Sequence, residues 1–169
     1  PLASSLLVSP DAALLRAVRN ELAVQLSALP RAEIATKAMS DWSALIQVPS
    51  LEAGMDLINL LAPEHFELCV SDPWPLLGMV RNAGAVFMGH STPEPVGDYF
   101  AGPNHVLPTM RTARFSSPLG VYDFQKRSSI INCSPAGAAR LSRTAAAFAY
   151  GEGLTAHARS AEYRTGKSS

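Results

Sequence analysis

Apolar and polar positions alternate along the chain with two different periods. "SSLLVS" (4–9) is a short apolar run closed by Pro10-Asp11, the pattern of a buried strand running into a helix start with Ser9 or Asp11 near the cap. From Asp11 to about Leu29, apolar residues recur at Leu14, Leu15, Val18, Leu22, Leu26 and Leu29. This is helical spacing, with Arg16, Arg19 and Asn20 on other faces. Pro30 ends that helix, and "RAEIATKAM" begins a second. "SALIQVPS" (43–50) reads as a strand. "SLEAGMDLINLLA" reads as a helix with Ser50 as its cap and Glu52 in the first turn, where the dipole favours a carboxylate. "HFELCV" predicts a strand, "PWPLLGMVRNA" a helix and "GAVFMG" a strand of the fully buried type.

The order β-α-α-β-α-β-α-β predicts an α/β fold, an incomplete Rossmann-like, mainly parallel sheet with flanking helices. The texture changes after Gly89. Residues 90–120 carry prolines at 93, 95, 103, 108 and 118 and show little periodicity. "VYDFQKRSSIINCS" (121–134) reads as one extended segment. An Ala-rich helix then starts at Ser134 with Pro135 in its first position, Gly151 and Gly153 break it, and a last short helix begins near Thr155. This tail predicts a small C-terminal helical extension, and the shift near residue 120 places a domain boundary there. The expected division is an α/β zinc- and substrate-site domain over 1–119 and a strand-plus-helices dimerisation segment over 120–169. The closing "RTGKSS" reads as a frayed tail.

Charge narrows the function. Fourteen basic and fourteen acidic side chains give a formal net charge of zero, so no electrostatic case exists for a nucleic-acid or anionic-membrane partner. No apolar run has the length of a membrane-spanning helix, and "PLASSLLVSPDAALL" has no basic region ahead of its apolar residues, a poor signal peptide. Cys69 and Cys133 are far apart and in no CxxC pair, which reads as two reduced thiols of a cytoplasmic protein. No GxGxxG follows the first strand, so no cofactor-binding residues are assigned to a dinucleotide.

Three of the four histidines lie in short polar clusters: Glu64-His65, Asn104-His105, and Glu152 with His157. Glu64-His65 falls at a helix-to-strand junction, where α/β sites collect, and a histidine beside a carboxylate serves as a general base near neutral pH. The same pair also reads as a solvated surface turn. Asp98 and His157 are residue types that bind zinc, but they form no metal-ligand spacing. Asp98 reads equally as an Asx-turn residue, and His157 as a solvent-facing histidine near a helix start.

Several longer stretches narrow these alternatives together. "LLAPEHFEL" (60–68), "NAGAVFMG" (82–89), "TPEPVGDYFAGPNHVLPT" (92–109), "ARFSSPLGVYDFQKRSSI" (113–130) and "EGLTAHARS" (152–160) resemble the C-terminal part of histidinol dehydrogenase, in that family's order. The resemblance implies an NAD-dependent, zinc-dependent oxidoreductase of histidine biosynthesis that oxidises L-histidinol to L-histidine through the aldehyde. By resemblance, His65 is the base that takes protons during oxidation and Glu64 the acid that helps activate water. Asp98 and His157 are the zinc ligands of the "GDY" and "EGLxAH" motifs. Asp98, His157, His105 and Glu152 are substrate-binding.

The family is also implied to form an intertwined homodimer, in which the second histidine ligand reaches the partner's metal. Family members are longer. Their N-terminal half supplies the NAD site, and a Gln and a His that complete the zinc site precede a strand like "SSLLVS". The expectation is therefore an incomplete zinc site and no turnover by the isolated chain, which opens on Pro1 and reads as a fragment. The alternative from a different class is a truncated, non-catalytic paralogue that acts as a binding or assembly module.

Overall fold

The computed structural model describes residues 2–165. Residues 166–169 of the predicted frayed tail lie outside them. Two compact units result, one reaching Phe124 and one starting at Gln125.

In the first unit, β1 (Leu6–Ser9) leads into α1 (Ala12–Ala28), α2 (Ala32–Trp42) and β2 (Ala44–Gln47). Asp11 is the α1 cap: its Oδ1 accepts from Ala13 N at 2.7 Å and Leu14 N at 3.2 Å, satisfying orphan donors of the first turn. Ser9 has a different task. Its Oγ accepts from Asp11 N at 3.1 Å and so shapes the turn out of β1. β1 and β2 pair parallel, from Leu6 opposite Ala44 to Ser9 opposite Gln47.

The chain continues through α3 (Leu51–Leu61), β3 (His65–Leu68), α4 (Trp74–Leu77) and β4 (Ala85–Met88). Ser50 Oγ caps α3 by accepting from Ala53 N at 3.2 Å. The Glu52 carboxyl is held below its ordinary value by its own backbone N–H and by the Ser50 hydroxyl. α3 ends on Ala62 in the left-handed region (φ 50°), so a residue with a Cβ takes the place where glycine is usual. Pro63 follows and prevents further helix.

β3 and β4 also pair parallel, His65 opposite Ala85 and Leu68 opposite Met88. Strand alternation sends Phe66 and Leu68 into a core with Met55 and Leu76, and leaves His65 and Glu67 on the other face. The parallel α/β expectation holds within each pair. Among the described residues the strands form two separate two-stranded pairs, β1–β2 and β3–β4.

Two regions depart from the sequence pattern. The helix expected over 73–83 is one turn, Trp74–Leu77. The reason is Asn59 on α3, which is 5% exposed. Its Oδ1 accepts from Arg81 N at 2.7 Å and Asn82 N at 3.2 Å, and its Nδ2 donates to Met79 O at 2.8 Å. These groups serve a side chain instead of a helical ladder, and they turn the chain into β4.

The stretch 90–120 contains α5 (Glu94–Tyr99) and a short 3-10 turn at Thr112–Arg114, and a second 3-10 turn follows at Val121–Phe124. The second also shortens the extended segment expected from 121. Arg111 Nη2 donates to Leu60 O at 2.8 Å, and Arg114 bonds the same carbonyl, which ties this loop to the end of α3.

In the second unit, α6 (Pro135–Gly151) and α7 (Thr155–Glu162) form a helical hairpin. Ser134 Oγ caps α6 by accepting from Gly137 N at 3.1 Å. Gly153 takes φ +74° in the turn. Ala146, Ala149 and Ala158 are the buried contacts, small residues that let the two helices approach closely. Among the described residues, no helix is long and apolar enough to cross a membrane. Cys69 and Cys133 are free and exposed.

Candidate active site and metal centre

The outward face of β3 meets α5. His65 Nε2 lies 3.0 Å from Asp98 Oδ2 and 3.9 Å from Glu94 Oε1. Glu94 and Asp98 are one helical turn apart, so α5 presents both carboxylates on one side. The ligand-capable atoms of His65, Glu94 and Asp98 all lie within 4.8 Å of one another. Asp98 is the more enclosed, with 15% of its side chain exposed against 28% for His65. Partial burial, followed by the hydrogen bonding and negative charge of Asp98, raises the Glu94 carboxyl above its ordinary value. The charge of Glu67 adds to the rise and His65 opposes it.

The site is built on close backbone approach. The His65 ring tilts against Phe87, with centroids 5.8 Å apart at 32°. Gly97 lies flat on the same Phe87, and a Cβ at Gly97 would stand 2.2 Å from Phe87 Cε1. Gly84 fits beneath Glu64 in the same way: an added Cβ would meet the Glu64 carbonyl oxygen at 2.5 Å. Glu64 and Gly84 are held there by Gly84 N donating to Pro63 O and Ala85 N to Glu64 O, both at 2.9 Å. Gly97→Ala is expected to push α5 off Phe87 and to lower stability by about 1–3 kcal/mol, as overpacking does. Urea denaturation checks this, and a midpoint equal to the parent's would contradict it.

Asp98 therefore sits on a helix and bonds to His65, not in an Asx turn. His65 is half-buried in a cluster and not in a solvated turn, and Glu64 beside it is half-buried. His105 is exposed in the loop after α5, where Asn104 Oδ1 accepts from Val106 N at 2.7 Å and makes the local turn. Glu152 and His157 lie in the second unit and line one shallow groove with Leu141, Phe148 and Leu154. Glu152 ends α6, its N–H donating to Phe148 O at 3.0 Å, and His157 is exposed on α7.

Glu94 was missed in the sequence. The available signal was its spacing of four from Asp98, which gains meaning only once residues 94–99 are known to be helical.

The donors are imidazole nitrogen and carboxylate oxygen, a set that fits zinc. A histidine–carboxylate cluster built from the first residue of β3 and one side of α5 in an α/β unit defines the class as an enzyme-type, metal-compatible site. The family-level comparison is specific. A sequence model of the histidinol dehydrogenase family matches residues 1–165. The chain is 60% identical over 162 residues to histidinol dehydrogenase of Pseudomonas aeruginosa and 58% to that of Pseudomonas putida, in each case covering 96% of this chain and 37% of the relative. It superposes on the crystal structure of histidinol dehydrogenase from Elizabethkingia anophelis with a TM-score of 0.85 at 30% identity, over 95% of this chain and 37% of that one. The chain belongs to the histidinol dehydrogenase family, and it spans about a third of the length of the relatives it matches.

Proposed function

We propose that this chain is the zinc- and substrate-site portion of an NAD-dependent histidinol dehydrogenase that oxidises L-histidinol to L-histidine through the aldehyde. The observation that carries the reading is the 3.0 Å contact between His65 Nε2 and Asp98 Oδ2, which puts a base beside a metal-ligand type.

In this reading His65 takes the hydroxyl proton as hydride leaves the alcohol carbon for NAD, giving aldehyde and NADH. Glu64 then helps draw a proton from the water that adds to the aldehyde. The hydrate gives a second hydride to a second NAD and a hydroxyl proton to His65, and the carboxylic acid so formed releases its proton to water to leave the carboxylate. Asp98 and His157 are the metal donors contributed by this chain, and they also touch the substrate. His105 and Glu152 bind the substrate's polar groups. Asp98 and His157 would hold the zinc, which would supply a Lewis-acid anchor for the substrate's nitrogen groups.

His157 serves the site of a second copy in a homodimer assembled through residues 120–169, with residues 1–119 as the α/β site domain. The NAD site is assigned to the part of the family's sequence that this chain does not span. The free thiols fit a cytoplasmic location.

Asp98→Ala in the full-length protein tests the reading. Zinc content is expected to fall from near one per chain to near zero, and NADH formation from histidinol to fall at least about a hundredfold, the scale of a lost positioning group. Parental zinc content in the variant would overturn the assignment.

A further inference from the structure

We propose that Glu67 is a positioning residue for this site: its carboxylate docks α5 onto β3 and thereby sets Asp98 at His65. The inference rests on the reading of Asp98 as a metal ligand, but its geometry does not.

α5 is a poor helix by itself. It has six residues, with Pro95 and Gly97 inside it. Its preceding residue is Pro93, which offers no side-chain cap. Val96 N bonds Pro93 O at 3.0 Å and Gly97 N bonds it at 3.4 Å, and Pro95 has no N–H. The first turn therefore has one donor left, the N–H of Glu94. Glu67 Oε1 accepts it at 2.9 Å, from a strand 27 residues earlier in the chain.

Glu67 lies two residues beyond His65 on the same face of β3, so one strand face grips the helix at two points. Its second oxygen, Oε2, is 3.7 Å from Cys69 Sγ, whose thiol donates, and this fixes the carboxylate's orientation. Gly97 against Phe87 supplies the third point of contact. The arrangement carries an electrostatic cost, because Glu67 adds a third carboxylate near Glu94 and Asp98. Glutamine would accept the same hydrogen bond without that charge. Glu67 thus acts through the helix, outside the cluster of His65, Glu94 and Asp98.

The test uses the full-length protein with Glu67→Ala and Glu67→Gln, each alone and with Asp98→Ala. Zinc affinity is read by competition with a chromogenic chelator, and hydrogen exchange is read at the amides of Glu94, Val96 and Phe100. Glu67→Ala is expected to weaken zinc about fivefold or more, the scale of a lost cap acceptor, and to speed exchange in α5. Glu67→Gln should stay within about twofold of the parent, since it keeps the acceptor. With Asp98 removed, Glu67→Ala should change zinc binding no further while still speeding exchange.

Parental zinc affinity and exchange in Glu67→Ala would overturn the proposal. Equal losses in Glu67→Gln and Glu67→Ala would also overturn it, since charge and not capping would then be at work. If Asp98→Ala alone keeps parental zinc affinity, the metal reading fails. The exchange rates then decide the docking role by themselves, with unchanged α5 exchange in Glu67→Ala sinking it.

Discussion

Replacing His65 with asparagine is expected to slow NADH formation from histidinol by about 10²–10⁴-fold, the usual contribution of a positioned acid–base group. His65 brings the one imidazole to the cluster of His65, Glu94 and Asp98, and imidazole is the side chain suited to general acid–base work. The ring tilts against Phe87 and its Nε2 lies 3.0 Å from Asp98 Oδ2, two contacts that orient the imidazole. Asparagine keeps a polar group of similar reach but cannot serve as a base. Steady-state rates with the alcohol and with the aldehyde check the expectation, and rates within about threefold of the parent would refute a base role. Zinc content should be read in the same samples. The ligand atoms of His65, Glu94 and Asp98 are close enough to share one ion. Loss of zinc in the variant would make His65 a ligand and not the base.

Asn59→Ala is expected to cost about 3–5 kcal/mol of stability. Three hydrogen bonds from one nearly buried side chain vanish, each worth roughly 1 kcal/mol net, and the stranded backbone groups at Met79, Arg81 and Asn82 add desolvation penalties. Asn82 Nδ2 still reaches Asn59 O at 2.9 Å, so the turn is weakened and not erased. The effect should spread to the site. The 79–82 turn feeds β4, and β4 fixes Gly84 and Ala85 against Pro63 and Glu64. Urea unfolding measures the loss directly. A change below about 1 kcal/mol would mean that water replaces the side chain, because exposed backbone groups lose little when a partner is removed.

Three helix starts were legible because each is written in adjacent residues. Asp11, Ser50 and Ser134 are caps as their positions imply, and the short-range chemistry of a cap needs no tertiary information. The α4 region misled for the opposite reason. "PWPLLGMVRNA" has helical spacing, but Asn59, about 20 residues earlier, takes the donors a longer helix would need. α5 was unreadable as a helix. Pro95 and Gly97 argue against one locally, and Glu67, His65 and Phe87 hold it from a distance.

By itself, the sequence determined the β-α alternation, the caps, the residue types able to bind zinc and move protons, and a motif set that is specific to one family. Those are properties of neighbours along the chain and of side-chain chemistry. Only the tertiary structure decided that His65 meets Asp98, that Glu94 joins them, and that the strands pair in two separate ladders. The physical reason is that such contacts depend on loop closure over about 30 residues and on which backbone groups are left without a partner. Neither quantity is encoded at any single position, and both are settled by packing.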